Sequence, residues 1–137
     1  MTGSPFFDSN TLLHLVSNDT AKADRANTLL RAGGIVSVQV LNEVVNVSTR
    51  KFRASWPQTD TLLALVRANC EVVPLTEATH DLGRQLAERH RLQVYDAMVV
   101  AAALLADADT LYSEDMHDGL RVRGQLTLRN PFRAQPH

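Results

Sequence analysis

The chain has 137 residues, with 14 Lys and Arg against 15 Asp and Glu for a formal net charge of −1. Its 45% hydrophobic and 21% charged residues match a globular domain and exclude disordered and collagen-like classes. A single cysteine, Cys70, excludes an internal disulfide and a thiolate zinc cluster, and the near-neutral total argues against nucleic acid held by bulk positive charge.

In chain order, Pro5-Phe6-Phe7-Asp8 is a short apolar run ending in a carboxylate. Helical spacing follows over Asn10 to Val16, and again over Ala21 to Ala32 after the start signal Asn18-Asp19-Thr20, with Gly33-Gly34 as the stop. Ile35 to Val38 reads as a buried strand and Val40 to Phe52 as a helix. Trp56-Pro57 breaks the chain before a further helix through Leu62, Leu63, Leu65 and Val66. Glu71 to Pro74 is a strand, and Thr76 opens the helix through Leu82 and Leu86. Tyr95-Asp96 opens an Ala-rich helix to Ala106, whose ten-residue apolar run is too short for the roughly 18–20 residues of a membrane span. Thr110 to Ser113 is a strand, Glu114 to Gly119 a polar turn, and Gln125 to Leu128 a last strand. No repeat or linker intervenes, so residues 1–137 are expected to form one domain. Short apolar strands alternating with helices predict an α/β sandwich around a mostly parallel sheet. The opening residues lack a secretory pattern, and a cytoplasmic location is expected.

Ligands of parallel sheets collect at the carboxyl ends of strands. Asp8 ends the first strand, Asp115 lies two residues past Ser113, and Asp96 stands at the start of the Ala-rich helix. Glu43 lies beside the apolar stripe Val40, Val44 and Val47, where a carboxylate needs a cation. Taken singly, Asp8 and Asp96 are also good helix caps and Asp115 a good turn residue. Taken together, four converging carboxylates repel one another unless a divalent cation neutralises them. Oxygen ligands without Cys or paired His favour Mg2+ or Mn2+ over zinc, and such a site suits metal-assisted phosphodiester hydrolysis.

Four segments then match a known family in order. Phe6-Phe7-Asp8-Ser9-Asn10-Thr11-Leu12-Leu13 is like its opening D-x-N-x-L, and Val40-Leu41-Asn42-Glu43-Val44 like the helix of its second acid. Tyr95-Asp96-Ala97 and the small apolar residues to Ala103 are like its third-acid helix, and Leu111 to Asp115 like its strand ending in [ST]-x-D. The four acids are 35, 53 and 19 residues apart. Over nearly its whole length the sequence resembles a PIN-domain ribonuclease, most closely the VapC-type toxins of type II toxin–antitoxin systems. The resemblance implies a PIN-like three-layer sandwich and an endoribonuclease that hydrolyses RNA with a metal-activated water, leaving 5′-phosphate and 3′-hydroxyl ends. It makes Asp8, Glu43, Asp96 and Asp115 the catalytic acids, with Asp8, Asp96 and Asp115 holding Mg2+ or Mn2+ and Glu43 orienting water or acting as base. Asn10 and Ser113 would hold the carboxylates in place, and which of Glu114, Asp115 and Asp118 faces the metal stays open.

The implied partners are an RNA substrate, a small cognate antitoxin and a second copy of the chain, with no membrane. Phe52, Trp56, Leu62 and Leu65 are candidates for an apolar antitoxin groove, or else ordinary core. Arg121 and Arg123, with Arg129 and Arg133 beyond, are candidates for RNA phosphates near the pocket, and His117 for a substrate contact. His14, His80, His90 and His137 read as surface or packing residues, and Cys70 as a buried small hydrophobe. The other readings are a PIN-fold nuclease of housekeeping RNA processing and a non-catalytic PIN-like binding module. A phospho-acceptor receiver needs a Lys on a late strand, and an aspartyl phosphatase needs D-x-D or D-x-T where Asn10 stands; both are set aside.

Overall fold

The computed structural model describes residues 3–133, so His137 lies outside the described residues. Six strands form one sheet: β1 (Pro5–Phe7), β2 (Gly34–Ser37), β3 (Cys70–Val73), β4 (Thr110–Tyr112), β5 (Arg121–Val122) and β6 (Leu126–Arg129), in the order β3-β2-β1-β4-β6-β5. All pairs are parallel except β5 with β6. Six helices flank it: α1 (Ser9–Leu13), α2 (Thr20–Arg31), α3 (Val38–Arg50), α4 (Trp56–Asn69), α5 (Glu77–His90) and α6 (Val94–Leu105). This is the α/β sandwich with a mostly parallel sheet that the sequence predicts.

The apolar runs become strands because both faces of the sheet are covered. Phe6 and Phe7 point to opposite faces and are both buried. The order of strands reverses direction at β1: the chain goes from β1 out to β2 and β3, then returns to place β4 on the other side. The crevice at the carboxyl ends of β1 and β4 is therefore the switch point where such folds bind ligands. α6 is apolar all round, and every residue from Ala97 to Leu104 is buried. Its small residues let α5 approach closely, with Gly83 set directly against Met98.

Several boundaries differ from expectation for identifiable reasons. Trp56-Pro57 opens α4 rather than breaking the chain. Ser55 and Gln58 close a capping box, and proline is tolerated in a first turn whose N–H groups lack helical partners. The helix expected over Asn10–Val16 is α1 followed by a 3-10 turn, His14–Val16. β2 ends at Ser37, whose Oγ accepts from the Val40 N–H at 3.2 Å, so Val38 already belongs to α3. The last strand is half of a hairpin: β5 has only two residues, too few for a sequence pattern. Arg123 (φ 53°) and Gly124 (φ 65°) turn the chain, and the Gln125 N–H donates to the Val122 carbonyl. No helix among the described residues is long and apolar enough to cross a membrane.

Candidate active site

At the switch point lies a cleft of about 800 Å³ that takes in Asp8, Glu43, Asp96 and Asp115, and also Glu114, His14, Lys51 and Phe52. Each of the first four acids arrives on a different element. Asp8 follows β1 and is both the N-cap of α1 and part of the cleft lining. Its Oδ1 accepts from the Ser9 N–H at 2.8 Å. Asp96 does not cap α6, since the N-cap is Gln93 and Asp96 lies inside the first turn. Glu43 sits on α3 between buried Val40 and Val44, and Asp115 lies in the bend after β4.

Two residues tie β1 to the β4 loop. Ser113 Oγ donates to Asp8 Oδ2 at 2.8 Å. Asn10 Nδ2 lies within hydrogen-bonding distance of Asp8 Oδ2 (3.3 Å), Ser113 Oγ (3.2 Å) and Asp115 Oδ2 (3.1 Å). Its Oδ1 accepts from the Glu114 N–H at 2.9 Å. Asn10 thus hydrogen-bonds to both Asp8 and Asp115, and Ser113 to Asp8. Thr11, which the sequence does not single out, adds a third tie. Its buried Oγ1 donates to the Tyr112 carbonyl at 3.0 Å, an acceptor shared with the Asp8 N–H.

The electrostatics are those of crowded acids. Burial, and then the charges of Asp96 and Asp115, push the Asp8 carboxyl up to about 6, even though Ser113 and the Ser9 N–H favour its charged form. Burial and the Asp8 charge push Glu43 up to about 7, slightly offset by the Gln39 amide. Asp96 is raised by burial and then by Asp115. Glu43 Oε1 is buried without a hydrogen-bond partner. A buried carboxylate oxygen with no hydrogen-bond partner, beside other acids, suits a cation or a proton.

The three acids of the β4 loop separate by their partners. Glu114 is held between His14 Nε2 (2.8 Å) and Lys22 Nζ (2.6 Å). Partial burial works to raise its carboxyl, but the hydrogen bonds from Lys22 and His14 outweigh it and hold the group below the usual range. Asp118 accepts from the Asn130 N–H at 2.8 Å and from Arg133 at 3.0 Å, which together lower it. Among the described residues the Asp115 carboxylate has only the neutral Asn10 amide as a hydrogen-bond partner, and no cationic side chain pairs with it.

The donor set fits a hard divalent cation. Among the described residues no three His, Cys, Asp or Glu side chains stand already converged as a ligand cluster. Mg2+ does not require one, since it commonly keeps several waters and takes only one or two carboxylates.

Other expected residues fall elsewhere. Arg121 and Arg123 do not line the cleft. Arg121 pairs with Thr127, which lies level with Thr110 at the start of β4, so the hairpin tip is at the amino end of the parallel strands. There Arg121 donates to the Gly124 carbonyl and Arg123 to Gln85. The β5 strand that reverses the chain was not visible in the sequence, and that reversal carries both arginines away. His117 is exposed and outside the cleft lining. His14, expected at the surface or in packing, lines the cleft. Leu62 is buried in the core and Leu65 packs against it, whereas Phe52 and Trp56 are exposed. Cys70 is half-buried within β3, and burial pushes its thiol up to about 11. The sequence gives no signal for Lys22 and His14 at the site, because their partner Glu114 lies about a hundred residues away.

Residues 6–118 match the PIN domain family. Solved structures share the fold. A toxin–antitoxin complex from Klebsiella pneumoniae superposes with a TM-score of 0.69 at 22% identity, covering 93% of this chain and 98% of that one. Mycobacterium tuberculosis VapC20, described as a sarcin–ricin loop cleaving toxin, gives 0.66 at 19% identity, over 82% of this chain and 90% of its own. Rickettsia felis VapBC2, solved with a promoter DNA fragment, gives 0.64 at 17% identity, over 91% and 96%. No curated protein matches the sequence significantly. With the family match spanning most of the chain, and β1, α3, α6 and the β4 loop each delivering an acid to one switch-point cleft, the chain belongs to the PIN domain family.

Proposed function

We propose that the protein is a divalent-metal-dependent endoribonuclease acting as the toxin of a type II toxin–antitoxin pair. The observation that carries this reading is the meeting of Asp8, Glu43, Asp96 and Asp115 on one cleft in which Glu43 Oε1 is buried and unpartnered. Asp8 and Asp96 are the principal ligands for Mg2+ or Mn2+, with Asp115 binding directly or through water. Such a cation, when bound, polarises a phosphate oxygen and lowers the pKa of water. Glu43, with its carboxyl near neutrality, is suited to take a proton from the attacking water. Asn10 and Ser113 fix Asp8 and Asp115 by the hydrogen bonds described above.

RNA is favoured as substrate by two further residues of the cleft lining. Lys51 and Phe52, at the end of α3, both line the cleft, and the Phe52 ring is half exposed. A cation beside an exposed aromatic ring suits a phosphate and an unstacked base, the form in which single-stranded RNA is bound. A cognate antitoxin belongs to the same reading, supported by the fold shared with the Klebsiella and Rickettsia toxin–antitoxin proteins, and a homodimer is proposed with it. The test is brief expression of the wild type and of Asp96→Asn, followed by mapping of new RNA 5′ ends. Cleavage sites with 5′-phosphates in the wild type and none in the variant are expected; equal cleavage by both sinks the assignment.

A further inference from the structure

The carboxylate of Glu114 lies in the cleft yet is not available to it, because both of its oxygens are taken. His14, in the 3-10 turn after α1, holds Oε1 at 2.8 Å, and Lys22, in the first turns of α2, holds Oε2 at 2.6 Å. Both grips are themselves braced by the chain's last described residues. The His14 ring meets the edge of Phe132 with centroids 4.5 Å apart, and Lys22 Nζ lies 5.6 Å from the same ring's centroid. Arg25 Nε donates to the Pro131 carbonyl at 3.2 Å, keeping that segment on α2.

What this assembly holds is a loop with no ladder of its own. Ser113 to Gly119 is irregular, bend and turn backbone anchored at its two ends, by the Ser113 N–H to the Arg129 carbonyl and the Gly119 N–H to the Leu128 carbonyl, and Asp115 is exposed between these anchors. Glu114 is the residue between Ser113 and Asp115, and its N–H is the donor to Asn10 Oδ1. With that oxygen fixed, the Asn10 Nδ2 group is turned toward Asp8, Ser113 and Asp115. Loss of the grip on Glu114 would free the Glu114–Asp115 part of the loop and, with it, the Asn10 amide.

We propose that Lys22 and His14 are positioning residues of the active site: by clamping Glu114 they fix Asp115 and the Asn10 amide in the arrangement that receives the divalent cation. This rests on reading the cleft as a metal site. It also removes Glu114 from the set of ligands, although it stands next to Asp115 in sequence and lines the same cleft.

Position and charge give opposite expectations, which makes the proposal testable with Mn2+ alone. Lys22→Met deletes a positive charge beside an acidic cleft. Were charge the only role of Lys22, Mn2+ would bind more tightly. A positioning role requires weaker binding, by about tenfold if Lys22 acts like other supports of metal ligands. Calorimetric titration of Mn2+ into the full chain is expected to show that loss in Lys22→Met and recovery to about twofold of wild type in Lys22→Arg, in line with outer-shell support rather than ligation. Equal or tighter binding in Lys22→Met overturns the proposal. If that variant does not fold, His14→Gln takes its place with the same expectation and the same overturning result. The Asn10 side-chain amide resonances of the metal-free protein give a second readout: they should move in either variant, and unmoved resonances also overturn the proposal. A wild type that binds no Mn2+, or binds it no better than Asp8→Asn, refutes the metal reading instead, and the amide resonances still decide the clamp.

Discussion

Asp96 is held in the cleft by its helix alone: no hydrogen bond to its carboxylate is found among the described residues, and burial and Asp115 disfavour its charge. Its replacement by Asn therefore removes repulsion without breaking a contact. Asp96→Asn should lose RNA cleavage by at least about 10²-fold, the scale on which a single electrostatic contributor to a transition state acts, while its melting temperature stays equal or rises. Asp8 differs because it is also a cap. Asp8→Ala should lose cleavage and in addition about 1 kcal/mol of stability, read from chemical denaturation, since Ala leaves the Ser9 N–H without its acceptor. Asp8→Asn keeps the preferred cap type and should lose cleavage with a smaller cost in stability. At Phe52, half exposed in the cleft, replacement by Ala should raise the KM for RNA about 5- to 100-fold with kcat little changed, the worth of one stacked base.

Among the elements, β1 and β2 set the frame for Asp8, and they approach so closely that Gly34 has no room for a side chain. A Cβ there would lie 2.7 Å from the Pro5 carbonyl oxygen and 2.5 Å from the Phe7 ring. Gly34→Ala should cost about 1–3 kcal/mol of unfolding free energy, the usual range for overpacking. Because Phe7 precedes Asp8, activity should fall with it. The elements themselves were largely legible in the sequence. Three-residue β1 could be read from Pro5-Phe6-Phe7 because a central parallel strand is apolar on both faces, and α6 from an apolar run too long for a strand. The illegible parts have one cause: they depend on contacts between distant residues. A two-residue strand such as β5 has no periodicity, and exists because β6 and the Arg123-Gly124 turn are there to receive it. The same cause hid the grip of His14 and Lys22 on Glu114. Three acids within five residues looked equivalent in sequence, and their partners, on α2 and at residues 130–133, tell them apart.

For the molecule as a whole, crowded acids tie stability to pH and to cations. A carboxyl raised in the folded state binds a proton more readily there than when unfolded. Stability from such groups is therefore fully present below their unfolded pKa values and declines as pH rises through the folded ones. For Asp8 the window runs from 3.8 to about 6, and for Glu43 from 4.5 to about 7. The other titratable and charged groups lining the same cleft are His14, Lys51, Asp96, Glu114 and Asp115. In the presence of a chelator, the melting temperature should fall between pH 5 and pH 8 by on the order of 5 °C, taking ~1–2 kcal/mol from the two groups together. Millimolar Mg2+ at pH 8 should restore it by binding only the folded form. A metal-free melting temperature that is flat or rising over that range would contradict the crowding. The net charge of −1 is read differently in this light. Without Asp8, Glu43, Asp96 and Asp115 the remainder carries +3, almost all of its cationic groups being arginine.

The place of β1 in the sheet has a kinetic consequence. It lies between β2 and β4, with its two phenylalanines buried on opposite faces, and the Asp8 N–H donates to the Tyr112 carbonyl across the β1–β4 pair. Amides so enclosed exchange with solvent only when the domain opens as a unit. The Asp8 segment therefore cannot fray off while the rest persists, and no partly melted, catalytically silent form is available through it. Melting of the Asp8 segment alone is therefore not a way of switching the protein off, and hydrogen exchange at Phe7 and Asp8 should track global unfolding in both the free and the occupied protein.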